Sequence, residues 1–325
     1  MASFHSLSKA QVLKKISSSL TIFQIPGLLS FNAISLKENS QKVIEKVGKS
    51  FEGLNVVVRS SAGDEDGQYN SSAGEYCSVL DISSSNQKEI RDAIKNVIAS
   101  YEKKRPLLTQ DEVIIQEMVQ NSTMSGVIFT HDLNTGAPYY VINYDDQSGT
   151  TDTVTSGKSQ YSNRTLYIHR TSVNKLLSAR FKKLLQAVQE LEQVMDSQFL
   201  DIEFALDADL TPYLLQVRAI TTKPNWNRAV TKQIDTTLQG VQAFVTERFK
   251  QISGVYGETT VLGQMPDWNP VEMIGRAPKA LAASLYQTLI TDRSWYTARA
   301  TMGYATPTGQ PLMVMLAGQP FIDTR

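Results

Sequence analysis

The chain has 325 residues, and since a domain usually takes about 100–200 residues, we expect two or three lobes. Hydrophobic residues make up 41% of the chain and charged residues 20%, which argues against a disordered, collagen-like or coiled-coil protein. Lys and Arg together number 32, and so do Asp and Glu. This balance argues against a general nucleic-acid-binding protein, because such proteins carry an excess of basic residues.

Cysteine and histidine usage excludes several kinds of site. Cys77 is the single cysteine, so the sequence holds neither an internal disulfide nor a cysteine-rich zinc site. The three histidines, His5, His131 and His169, are scattered without metal-ligand spacing. No run of about 18 apolar residues is present, and the N-terminus lacks the apolar core of a secretory signal. We expect a soluble cytoplasmic protein that binds neither membranes nor nucleic acids.

In the first part of the chain, short helices and strands follow one another without a regular strand–helix repeat. The predicted helices cover residues 8–19, 42–51 and 86–100, and the predicted strands cover residues 56–58, 76–82 and 113–119. A loop of Ser, Gly, Asp and Ala separates the first two strands. This mixture favours an α+β fold over a doubly wound sheet.

Two hairpins and a long helix are expected further along. The hairpins cover residues 125–144 and 201–218, and the helix runs from an N-cap at Ser172 to about residue 196. A domain boundary is expected at residues 221–224, before a region that becomes mainly helical. The last residues form a strand-like apolar stretch, from which we expect this sequence to be part of a longer protein.

Polar side chains of the second hairpin can form one patch. Because side chains alternate between the faces of a strand, Asp201 and Glu203 share a face. On the returning strand, Leu214, Gln216 and Arg218 are expected to share a face as well. If the polar faces coincide, carboxylate and amide oxygens there suit Mg²⁺, and the guanidinium can neutralise phosphates. The alternative is an exposed sheet face with solvated charges.

Small residues follow Arg59 directly after a buried strand. Backbone N–H groups of such a loop can approach a phosphate closely, because few side chains obstruct them. The spacing is neither that of a Walker A motif nor G-x-G-x-x-G. The alternative is a flexible acidic surface loop.

The strand over residues 113–119 ends in Glu-Met-Val. The exposed backbone edge of a strand offers one donor and one acceptor, which is what adenine requires. The alternative is an ordinary core strand.

Taken in order, six motifs resemble the nucleotide-binding part of the phosphoenolpyruvate synthase and pyruvate phosphate dikinase family. They are Arg59-Ser60-Ser61-Ala62, Ala73-Gly74, Gln116-Glu117-Met118-Val119, Ser125-Gly126-Val127-Ile128-Phe129-Thr130, Asp201-Ile202-Glu203 and Leu215-Gln216-Val217-Arg218. The resemblance covers residues 1–222. It implies an ATP-grasp fold whose two α+β lobes, 1–110 and 111–222, clamp ATP, followed by a mainly helical region over 223–325.

The resemblance also implies roles for individual residues. Those roles are catalysis for Lys9, Arg59 and Arg218, nucleotide binding for Ser61, Ala73, Gly74, Gln116, Glu117, Met118, Val119 and Asp201, and Mg²⁺ binding for Glu203 and Gln216. Three features depart from the family pattern. The glycines around Lys9 are missing, His131 stands where the family has arginine, and residues 144–152 replace a Gly-Leu-Gly-Glu loop.

By the same resemblance, the expected reaction is AMP-forming phosphotransfer. ATP would pyrophosphorylate a histidine on a separate swivelling domain, with AMP and phosphate released overall. None of the three histidines here lies in such a motif, so we expect the carrier on the C-terminal part of a longer protein and no turnover by this chain alone.

Residues 263–275 point to one branch of the family, because they resemble a segment of the L-glutamine kinases of capsule phosphoramidate biosynthesis. The expected acceptor is therefore the amide nitrogen of L-glutamine. These residues can equally be a helix-capping segment of a linker domain. The alternatives for function are a phosphoenolpyruvate synthase, an antibiotic phosphotransferase and a non-catalytic nucleotide sensor.

Overall fold

In the computed structural model, the chain forms two units, Met1–Asn227 and Arg228–Arg325. The structure describes residues 7–62, 66–67, 70–71, 77–149, 164–220, 229–264, 269–305, 310–316 and 318–324. The domain boundary expected at residues 221–224 lies outside the described residues.

The first unit contains two antiparallel sheets with helices packed on them. Its elements are α1 (Lys9–Ile16), β1 (Leu28–Asn32), α2 (Ala33–Glu38), α3 (Gln41–Ser50), β2 (Asn55–Ser61), β3 (Asp66–Gly67), β4 (Asn70–Ser71), β5 (Ser78–Ser83), α4 (Gln87–Glu102), β6 (Glu112–Glu117), β7 (Ser122–Phe129), β8 (Tyr139–Asp145), β9 (Arg164–His169), α5 (Ala179–Met195), β10 (Leu200–Asp207) and β11 (Pro212–Ala219). The α+β class predicted from the sequence is confirmed.

The first sheet has the strand order β1-β6-β2-β5. Val56 and Val58 of β2 are fully buried in a core with Val113 and Ile115 of β6 and with helices α2, α3 and α4. Because side chains alternate along a strand, residues 57, 59 and 61 of β2 point to the opposite face. This second face bears Arg59.

The second sheet has the order β11-β10-β7-β8-β9. Leu184, Leu185 and Val188 of α5 are fully buried in the core on one side of this sheet. Ile202 and Phe204 of β10 face the same core. The other face of β10 therefore carries Asp201 and Glu203.

Chain segments on either side of the lobe boundary expected at residues 110/111 exchange between the two cores. Strand β6 pairs with β1 and β2 of the first sheet. Conversely, Val12, Leu13 and Ile16 of α1 are buried in the core of the second sheet. The segment after α1 is fixed there as well, since Gln24 exchanges backbone hydrogen bonds with residues 212 and 214 of β11 at 2.9 and 2.8 Å.

The long helix begins later than predicted. A 3₁₀ segment, Arg170–Lys175, includes Ser172, and α5 follows with Ser178 at its N-cap. Val173 of the 3₁₀ segment is buried, whereas Leu177 is fully exposed. The helix predicted from Ser172 therefore starts too early. Strand β1 and helix α2 had no predicted counterpart, since every residue of β1 is half-buried and shows no alternation.

The second unit is mainly helical, as the sequence predicts, and it also contains a small antiparallel sheet of order β12-β14-β13. Its elements are α6 (Ala229–Arg248), β12 (Leu262–Gly263), α7 (Pro270–Ile274), α8 (Ala280–Tyr286), a π-helix (Gln287–Trp295), α9 (Tyr296–Thr301), β13 (Met313–Leu316) and β14 (Gln319–Asp323). Arg248 joins α6 to β14, because its Nε donates to Oδ2 of Asp323 at 2.9 Å. Within the described ranges, no helix has the length and apolarity needed to cross a membrane.

Gly126 allows β7 and β8 to approach closely. A Cβ atom at this position would lie 2.1 Å from the carbonyl oxygen of Asn143 and 2.8 Å from the Cα of Tyr144. We expect Gly126→Ala to lower the free energy of unfolding by about 3 kcal/mol or more, because backbone atoms must move apart. Urea denaturation measures this loss.

Gly48→Ala is the matched control, because its Cβ would lie 3.4 Å from the nearest atom, the carbonyl oxygen of Ser84. This variant should stay within about 1 kcal/mol of the parent, since alanine favours the helix. An equal free energy of unfolding in Gly126→Ala and Gly48→Ala would contradict the close approach of β7 and β8.

Candidate functional site

One side chain of the first sheet reaches the polar face of the second. Nη2 of Arg59 donates to Oε2 of Glu203 at 2.9 Å and to Oε1 of Gln216 at 3.0 Å. Arg59 and Glu203 are largely buried, with 16% and 23% of their side chains exposed. The two sheets of the first unit therefore meet at this group of three side chains.

The hairpin β10–β11 brings together the polar residues that the sequence selects. Glu203 lies opposite Gln216 in the strand register, and Asp201 lies opposite Arg218. Nε of Arg218 donates to Oδ2 of Asp201 at 2.7 Å, and its Nη2 lies 2.6 Å from the same oxygen. Two carboxylates, one amide and one guanidinium thus share one face, and the alternative of a fully solvated sheet face does not hold.

The prediction that Leu214 shares a face with Gln216 is wrong, because the hairpin contains a β-bulge. The register shifts between Glu203 and Phe204, so Phe204 pairs with Leu214 and Leu215 is skipped. Leu214 is therefore fully buried in the core rather than beside Gln216. Leu215 lines the cavity beside Arg59 instead. Bulges of this kind re-aim side chains beside functional sites.

Positive charges surround Glu203. Burial alone raises the pKa of this carboxyl, but the charges of Arg59, of Lys9 and, to a smaller extent, of Arg218 hold the pKa below its ordinary value. Lys9 lies in the first turn of α1 and is only 9% exposed. Its helix packs on the second core, which brings its charge to the site. An ionised carboxylate among three cations is suited to hold a metal ion or to accept hydrogen bonds.

A small cavity of about 70 Å³ lies between Arg59, Glu203 and the end of β6. Gln116, Glu117, Met118 and Val119, the residues predicted to bind adenine, line it together with Val57 and Leu215. A larger cavity of about 230 Å³ lies against Glu117, Met118 and Val119 as well, where Tyr213 and Asp207 contribute to its wall. The predicted adenine segment therefore borders both cavities.

Two buried polar atoms on strands β2 and β6 of the first sheet lack a partner within the described residues. They are Nε2 of Gln116, which is 2% exposed, and Oγ of Ser61, which is 1% exposed. Leaving a buried polar group unsatisfied costs about 1–3 kcal/mol. Both residues belong to the predicted nucleotide site, so a ligand with matching polar atoms would recover part of this cost.

Two predicted site residues cannot be located, and one contact at the site was not predicted. Ala73 and Gly74 lie outside the described residues. The side chain of Ser8, the N-cap of α1, donates to Oε2 of Glu112 at 2.5 Å and so fixes the helix that bears Lys9 to the first sheet. The capping box of α1, Ser-x-x-Gln, was the available sequence signal, although it does not reveal the bond to Glu112.

The donor set fits Mg²⁺ bound together with phosphates rather than a cage made by protein alone. Among the residues that the structure describes, no group of three His, Cys, Asp or Glu side chains converges. Mg²⁺ usually takes one or two carboxylates plus waters and substrate phosphates. The oxygens of Glu203 and Gln216, which both accept from one nitrogen, fit such a partial set.

Comparison with known proteins supports ATP binding by part of the first unit. Residues 29–146 match the family model described as the AMP/ATP-binding domain of pyruvate phosphate dikinase. This stretch includes β1, β2 and the predicted adenine segment. A search of curated proteins found no match.

Solved structures give only distant likenesses. D-alanyl-alanine synthetase A from Vibrio cholerae O1 biovar eltor is 15% identical (67% of this chain, 57% of that chain, TM-score 0.40). The D-alanine-D-alanine ligases from Coxiella burnetii (11% identical, 68% and 49% covered, TM-score 0.38) and Helicobacter pylori (14% identical, 72% and 59% covered, TM-score 0.37) are similar too. The chain spans between 49% and 59% of the length of these three chains. Likenesses at so low a TM-score carry no argument about function.

His131, which stands where the family has arginine, is a buried structural residue. Its ring lies 4.7 Å from that of Phe199, and its Nδ1 lies 3.1 Å from the carbonyl oxygen of Gln198. Burial, reinforced by the charge of Arg170, lowers the pKa of His131 to about 4. The folded protein therefore holds this imidazole neutral.

This low pKa makes stability depend on pH. In the unfolded chain a histidine takes up its proton near pH 6.5, so between pH 6.5 and about 4 the unfolded state binds more protons than the folded state. Stability is therefore lost as pH falls through this window. Between pH 7 and pH 4.5, we expect the free energy of unfolding to fall by roughly 2 kcal/mol less in His131→Gln than in the parent. Urea denaturation at the two pH values measures this difference. Equal pH dependence in both proteins would show that His131 does not carry the effect.

Proposed function

We propose that the first unit binds ATP together with Mg²⁺ in an ATP-grasp arrangement, with its two α+β sheets on either side of the nucleotide. One observation carries this proposal: Arg59 of one sheet meets Glu203 and Gln216 of the other across the cleft. The match of residues 29–146 to an ATP-binding family model supports it independently. Lys9 and Arg218 add two further positive charges, as a polyphosphate requires.

Each side chain has a role that follows from its chemistry. Lys9, Arg59 and Arg218 stabilise negative charge on the transferring phosphoryl group, since such reactions depend mainly on positioning and electrostatics. Glu203 and Gln216 hold Mg²⁺, which neutralises phosphate charge when bound. Asp201 orients Arg218 through their ion pair. The backbone of residues 117–119 and the orphaned amide of Gln116 face adenine.

The reaction proposed for the whole protein is a phosphotransfer through histidine. A nitrogen of a histidine on a swivelling domain attacks ATP and takes the pyrophosphoryl group, and AMP leaves. Water then attacks the terminal phosphorus of this group and releases phosphate, which leaves a phosphohistidine. The amide nitrogen of L-glutamine takes the remaining phosphoryl group, and the histidine is regenerated. The resemblance of residues 263–275 supports this acceptor; a phosphoenolpyruvate synthase or an antibiotic phosphotransferase would use the same first step with another acceptor.

Calorimetric titration with ATP, with and without Mg²⁺, tests the proposed nucleotide site. We expect Mg²⁺-dependent binding to the parent chain. Glu203→Gln should weaken Mg²⁺–ATP binding by about tenfold or more, because a carboxylate ligand is lost, and should not weaken the binding of metal-free ATP.

Glu45→Gln is the matched control, since Glu45 lies on the exposed surface of α3, away from the cleft. This variant should bind Mg²⁺–ATP like the parent. Absence of ATP binding at millimolar concentration in a folded parent chain would overturn the proposed function. An equal loss of Mg²⁺–ATP affinity in both variants would show that Glu203 is not a ligand of the metal.

A further inference from the structure

A single nitrogen atom of Arg59 contacts both oxygens assigned to the metal. The distances from Nη2 to Oε2 of Glu203 and to Oε1 of Gln216 are 2.9 and 3.0 Å. These oxygens belong to residues that face each other on neighbouring strands, so their spacing is fixed by the hairpin. A cation bound to both oxygens would lie within van der Waals contact of that nitrogen.

Two cations cannot share this position. Like charges about 3 Å apart repel strongly in a largely buried site, where the effective dielectric constant is well below that of water. The neighbouring carboxylate of Asp201 is already engaged by Arg218 at 2.6 Å, and so does not offset a second charge. Glu203 therefore interacts with either the guanidinium or a metal ion.

Arg59 and Glu203 line the space beside these groups. This space is a cavity of about 70 Å³ that borders the predicted adenine segment. The side chain of Arg59 crosses the cleft at this level and forms part of the cavity wall. A metal–triphosphate complex that reaches Glu203 and Gln216 must displace this side chain from the two oxygens.

We propose that Arg59 is the resident cation of this site in the nucleotide-free chain, and that it excludes divalent metal until a triphosphate draws its guanidinium away. This inference rests on the proposed function and adds the order in which ATP and the metal ion bind. Metal alone binds weakly because it must displace Arg59. ATP offers the guanidinium new oxygen partners, exposes the two ligands and so favours metal binding; by linkage, metal favours ATP binding to the same degree.

The test measures the binding of Mn²⁺ alone, by electron paramagnetic resonance, to the parent chain and to Arg59→Met. Methionine keeps much of the volume of the side chain and removes its charge. We expect Arg59→Met to bind Mn²⁺ at least about tenfold more tightly than the parent, since a charge-assisted hydrogen bond no longer competes. The double variant Arg59→Met/Glu203→Gln should lose this gain.

Arg91→Met is the matched control. Arg91 lies on α4 and donates to Oε1 of Gln41, so this variant removes the same charge from a different part of the first unit. It should bind Mn²⁺ like the parent. An equal gain in Arg91→Met would mean that net charge alone is responsible, and would overturn the proposal. Unchanged Mn²⁺ affinity in a folded Arg59→Met chain would overturn it too.

The same titrations with ATP present separate this inference from the proposed function. In the parent, ATP should raise Mn²⁺ affinity by a larger factor than in Arg59→Met, where no competing group has to move. If the parent binds no ATP, the proposed function fails, while the metal-only comparison still decides the role of Arg59. If ATP binds and its effect on Mn²⁺ is equal in both proteins, the exclusion by Arg59 is wrong.

Discussion

The bond between Arg59 and the pair Glu203 and Gln216 is the contact on which the candidate site depends. It joins two sheets that otherwise bury separate apolar cores. Among the residues that the structure describes, the partners of the Arg59 guanidinium both belong to the second sheet. Because the group is largely buried, breaking it without a substitute would leave a charged carboxylate unpaired, which is costly. A metal ion and a polyphosphate would together provide such a substitute.

The hairpin β10–β11 and helix α1 position the residues of this site. The hairpin β10–β11 sets Glu203 opposite Gln216, and the bulge after Glu203 turns Leu214 into the core while Leu215 reaches the cavity. Helix α1 brings Lys9 to the site because its apolar side packs on the second core, while Ser8 at its N-cap bonds to Glu112 of the first sheet. Within the described residues, the site is assembled mainly from strands and one capped helix, and Met118 and Val119 follow directly after β6.

Local patterns made part of this arrangement predictable. Alternation along β10 placed Asp201 and Glu203 on one face, and helical spacing identified α4, since both depend on neighbouring residues alone. The bulge was not predictable, because it depends on the packing of Leu214 into the core of the second sheet rather than on neighbouring residues in the chain. The same holds for α1 and β6. Ser8 of the α1 N-cap bonds to Glu112, 104 residues further along the chain, and β6 pairs with β2, 51–61 residues earlier. The roles assigned to the site residues remain predictions.

Hydrogen exchange with and without Mg²⁺–ATP tests most directly whether the nucleotide binds between the two sheets. The account predicts slower exchange in β2, in residues 116–119 and in the hairpin β10–β11, because the ligand would contact all three segments. Helix α5, which lies on the far side of the second sheet, should exchange at an unchanged rate. Protection confined to segments outside the cleft, or no protection at saturating nucleotide, would contradict the account.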